Sequence, residues 1–263
     1  ITGVGLSLSD VTGTLNFTDL NIANDSGTGL LVANAKANNF LLGTTGGTVD
    51  TTGGTAIDLD PLAIAMTLDS VRASGGTFGI LLDQVEGRFT VTGAVEASAT
   101  STAAIAIRNN SAQTDPLDVM FQGAVTVANT GGAGVMLTNN GGAAVSFLGG
   151  LDIATTSGAG LSASGGGTLV IAKPTVGANR IVTGAGQALS LDGMTIGAAG
   201  AAFDSIATTS STNAAMTLQA LSLAGSLNIA DLTASGGGGG AAFANLSGAG
   251  SVNLTGRIDI DGG

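Results

Sequence analysis

An internal period of about 26 residues constrains this chain more than any other feature of its 263 residues. A small residue followed by an aliphatic recurs at Leu6, Leu30, Ile57, Ile80, Ile105, Val135, Leu161, Leu189, Met216 and Phe243. The spacings are 24, 27, 23, 25, 30, 26, 28, 27 and 27 residues, so the repeat covers the whole chain. The residue before each anchor is Gly or Ala, and the residue two after it is Leu, Ile or Val in eight of ten cases. Periods of this size mark architectures in which each repeat is one supersecondary unit stacked on its neighbours.

Between anchors lie pairs of short alternating segments. Val119-x-Phe121 is followed by Val125-x-Val127, Val145-x-Phe147 by Leu151-x-Ile153, and Val252-x-Leu254 by Ile258-x-Ile260. Apolar residues alternating with Ser, Thr, Asn or Asp predict strands with one buried face. The turns between them, such as Gln122-Gly123-Ala124 and Leu148-Gly149-Gly150, carry glycine. The best helical candidate, Pro61 to Val71, is short and enters from a proline. Three short strands per repeat cannot bury their apolar faces alone. Stacked in parallel about 4.8 Å apart, they satisfy their backbone groups continuously around a narrow core, and ten rungs make a rod of about 48 Å. A β-sandwich also has short alternating strands, but it has no reason to repeat at this period, and the hairpin dipeptide Asn-Gly occurs once, at Asn140-Gly141. The expected fold is therefore all-β, a parallel β-helix (β-solenoid) of about ten rungs with three strands each, over residues 1–263 as one domain. Gly (45) and Ala (42) make up a third of the chain, which suits a tight interior and sharp corners.

Composition removes several chemistries. Cys, His, Trp and Tyr are absent, which excludes disulfides, zinc fingers, thiol nucleophiles and His-based triads. Seven basic residues (Lys36, Arg72, Arg88, Arg108, Lys173, Arg180, Arg257) face eighteen acidic ones, and the net charge of −11 argues against nucleic acid and anionic membranes. No apolar run is long enough for a membrane span. Gly-x-Gly pairs at Gly158/Gly160 and Gly184/Gly186 lack a third glycine, and no Gly-Lys exists, so they read as corners rather than nucleotide loops.

The stretch from Gly46 to Gly93, GGTVDTTGGTAIDLD followed by MTLDSVRASGGTFGILLDQVEGRFTVTG, resembles the repeats of large secreted bacterial right-handed β-helix proteins. That class includes autotransporter passengers, haemagglutinin-like adhesins and giant surface proteins. The resemblance implies a right-handed coil, consistent with the general handedness of parallel crossovers. It also implies placement outside the cell or on a bacterial surface, with an adhesive or scaffolding role.

Stacking the repeats brings Asp60, Asp83 and Arg108 to one column, three residues after their anchors. Carboxyl groups one rung apart suit polysaccharide hydrolysis. Equally, they are charges relieved by the neighbouring Arg108, and the chain has no Tyr or Trp to stack on a sugar ring. Carboxylates also hold calcium, and the weak candidates are Asp58 with Asp60 and Asp259 with Asp261. The longest repeat contains an insertion, Arg108 to Asp118, whose Asp115 and Asp118 face solvent or a ligand. Asn109 and Asn139 share a column and predict a side-chain ladder. Sequons at Asn16, Asn24, Asn110, Asn245 and Asn253 are expected by chance in so Asn- and Ser-rich a chain.

These observations predict a non-catalytic extracellular structural or adhesive module with no catalytic or cofactor site. It associates with itself through its rung ends and contacts surface glycans, but neither binds nucleic acid nor inserts into membranes. Both ends read as uncapped rungs, so the segment is expected to continue into a longer chain or an assembly. The alternatives are a polysaccharide-binding or polysaccharide-degrading β-helix and a viral fibre or tailspike segment.

Overall fold

Period-two alternation of apolar and small polar residues becomes thirty β-strands, and no helix is present among the described residues. The structure is a computed structural model in which residues 3–35, 39–111 and 113–261 are described; Lys36 falls outside them. Pro61 to Val71 forms parts of two strands, Leu62–Leu68 and Ser70–Ser74, rather than a helix. The strands pair in parallel with their equivalents one turn away, which excludes the sandwich. One sheet has ten strands. The other has twenty, arranged as two ranks joined where Thr195–Thr208 and Leu227–Ser235 run through the corner. The chain is a parallel β-solenoid of about ten turns.

The ten-stranded sheet carries the sequence anchors. Leu30, Ile57, Ile80, Ile105, Val135, Leu161, Leu189 and Met216 pair in succession and are all 0% exposed. The final anchor is corrected: Met216 pairs with Ala241, while Phe243 pairs with Leu218. A slip of two keeps every side chain on the same face, so hydrophobicity alone could not distinguish the two registers.

The small residue before each anchor sits where one turn's backbone crosses the next. A Cβ added to Gly160 would lie 2.3 Å from Ile181 Cγ2 and 2.4 Å from the Ala188 carbonyl oxygen. Gly160→Val is therefore expected to cost about 3 kcal/mol through overpacking, measured as a lowered urea midpoint; an unchanged midpoint would contradict the close approach.

The residue that follows nine of the ten strands of this sheet turns the corner in the left-handed conformation. Asp10, Asn34, Gln84, Asn109, Asn139, Gly165, Gly193, Ala220 and Asn245 all have φ between 50° and 77°. Pro61 occupies the same place in the third turn, where its ring holds φ negative. This geometry corrects the expected ladder. Asn109 and Asn139 are corner residues, and the ladder lies one position on, where buried Asn110 donates from Nδ2 to Asn140 Oδ1 at 2.9 Å. Asn110 Oδ1 also accepts the Val85 N–H at 2.6 Å, and Asn140 Nδ2 donates to the Ile107 carbonyl at 2.7 Å.

Inside the twenty-stranded sheet, Phe89, Phe121 and Phe147 form the bulkiest part of the core. Phe121 stacks on Phe147 at 5.1 Å, and Phe89 meets Phe121 edge-on at 6.4 Å.

Candidate functional site

Outward-facing residues of the ten-stranded sheet form the predicted acidic column. Leu82 pairs with Leu59 and Asp83 with Arg108, so Asp60, Asp83 and Arg108 stand on successive strands as expected. Asp58 shares the outer face of its strand with Asp60 and stacks between Leu31 and Leu81. Asp83 is buried and fully engaged: Arg108 Nε donates to Oδ2 at 2.6 Å, and Asn109 Nδ2 donates to Oδ1 at 2.9 Å. Arg108 also lies over the Phe78 ring, 5.7 Å from its centroid. Phe78 packs against an outer apolar cluster of Leu81, Ala103 and Ala106, with Ala133 and Met136 at its margin. With both oxygens of Asp83 bound, the carboxylates of this patch left for chemistry or cation contact are Asp58 and Asp60.

Their protonation equilibria are displaced. Burial raises the pKa of Asp58 above the ordinary carboxylate value, and the charges of Asp60 and Asp83 add to this while Arg108 opposes it. Asp60 is raised by burial and then by Asp83, again against Arg108. A carboxyl with a raised folded-state pKa contributes stability below its unfolded pKa, and that contribution is lost as pH rises through the folded value. Ionised Asp58 and Asp60 therefore weaken the fold at neutral pH. Asp60→Asn is expected to raise stability at pH 7 by about 0.5 kcal/mol, the scale of a like-charge cross-strand contact. The gain should vanish below about pH 4, near the unfolded value. Thermal melts across pH would check this, and an Asp60→Asn protein less stable than wild type at pH 7 would refute it.

Other candidates are more dispersed. The insertion follows the strand Ala103–Arg108, and Asp118 opens the strand Asp118–Phe121, with its carboxylate 3.5 Å from Arg88. Asp259 and Asp261 lie on the strand Ile258–Asp261, where Asp259 bonds to Arg257. Among the described residues, no group of three or more carboxylates is placed to hold a metal ion. Of the sequons, Asn24 and Asn110 are buried, Asn253 bonds to Asn228, and Asn16 and Asn245 are exposed.

No family model, curated sequence or solved structure matches the chain. Two features had no sequence signal. The excursion 172–179, carrying the 84%-exposed Val176, hides within an ordinary repeat length. The other is Glu86, whose alternating strand Val85–Val91 reads as solvent-facing at this position, yet which is buried. Its Oε2 accepts the N–H groups of Thr114 and Asp115, so the folded-back insertion covers it.

Proposed function

We propose that this solenoid is a non-catalytic rod module of an extracellular or bacterial surface protein, serving adhesion or scaffolding and associating through its end turns. The observation that carries this reading is the stacking itself: the anchors from Leu30 to Met216 pair in succession and are buried, so the chain is one continuous ladder of short strands. Its exposed apolar side chains include Phe243 at 45% and Ile258 at 52%, which offer a surface for contact with a second copy. Each of the six described cations is paired with a carboxylate, which leaves the acidic surface unsuited to nucleic acid.

Sedimentation and negative-stain microscopy of the chain test this. Concentration-dependent end-to-end rods, lost in Ile258→Asp, are expected. A monomer at all concentrations overturns end association, and a discrete trimer points to a fibre protein instead. Turnover of an acidic polysaccharide that is abolished by Asp60→Asn overturns the non-catalytic reading.

A further inference from the structure

Among the described residues two carboxylates are buried, Asp83 at 5% and Glu86 at 6% exposure, and they differ in one respect. Asp83 has a guanidinium partner. Glu86 has none: its Oε2 accepts long bonds from the Thr114 N–H (3.2 Å) and Asp115 N–H (3.4 Å), and Oε1 receives no donor among the described residues. The six described cations are bound elsewhere; Arg88, two residues along on the same face, is turned to Asp118. No described residue supplies Glu86 with a counter-ion, and a buried charge left so is costly, which favours a cation supplied from outside.

Space for one lies beside it. Thr14, Leu41, Ala63 and Glu86 are successive members of one outward row. Together with Asn39 they line an open groove of about 450 Å³. Its walls next to the carboxylate are apolar, and the chain's net charge of −11 repels anions. We propose that this groove binds a small organic ammonium ion, its nitrogen at Glu86 Oε1 and its hydrocarbon stem along Leu41 and Ala63. Such a ligand supplies the missing charge-assisted hydrogen bond and covers apolar surface at the same time.

Calorimetric titration of the whole chain with pentylammonium chloride at low ionic strength tests the proposal, with pentanol and pentanoate as controls. Saturable binding of the amine alone is expected. Glu86→Gln should weaken it about tenfold, the scale of a lost hydrogen bond to a charged group. Ala63→Leu, which fills the groove and keeps the carboxylate, should weaken it as well, whereas Asp192→Asn, on a distant turn, should not. Circular dichroism verifies that each variant is folded. Amine binding no tighter than that of pentanol overturns the proposal, as does equal binding by wild type and the folded Glu86→Gln and Ala63→Leu variants.

Discussion

Phe121→Ala is expected to destabilise the solenoid by about 4 kcal/mol, the usual cost of emptying a fully buried aromatic site. Phe121 is 0% exposed and touches an aromatic ring on either side. The cavity would lie between turns whose backbones are fixed by continuous hydrogen bonding, so little collapse is available to fill it. Phe121→Leu, which keeps most of the volume, should cost about 1.5 kcal/mol. Because turns contact only their neighbours, a weak turn in mid-rod should also broaden the urea transition by separating the two halves. A single sharp transition shifted by less than 1 kcal/mol for the alanine variant would show that the aromatic row is not central to the core.

Arg108→Ala is expected to cost about 3 kcal/mol, because it leaves Asp83 buried with only the Asn109 amide as partner. Loss of the contact with Phe78 adds to this, at about 0.5 kcal/mol. The effect should be local, appearing as faster amide exchange in Phe78–Asp83 and Ala103–Arg108. Asp83→Leu combined with Arg108→Met should recover most of the loss, since removing both partners leaves no orphaned charge. Equal damage from the single and double variants would mean that Arg108 acts through its packing rather than its charge.

The first sheet was legible from the sequence because two signals coincide at each anchor, a small residue forced by backbone crossing and an aliphatic forced by burial. The last turn escaped because its two possible registers put the same face inward. Asn110 and Asn140 were missed by a single position: the preceding asparagine is diverted into a left-handed corner, and only the following one faces the interior. Gln84 and Ala220 take that same corner conformation without being residues that advertise it. The acidic column was predictable because it depends on register alone. Burial of Glu86 was not, because it arises when a connection nearly thirty residues later folds back over the strand.

The stacking described above also decides how the molecule would yield under load. Its hydrogen bonds run along the rod axis, and every turn is held only by the one before and the one after. Tension applied between the two ends would therefore peel coils away singly, instead of shearing whole sheets at once. Each release would lengthen the tether by about 90 Å, the extended reach of one repeat. A chain built in this way would act as an extensible spring that dissipates pulling force in small, recoverable instalments.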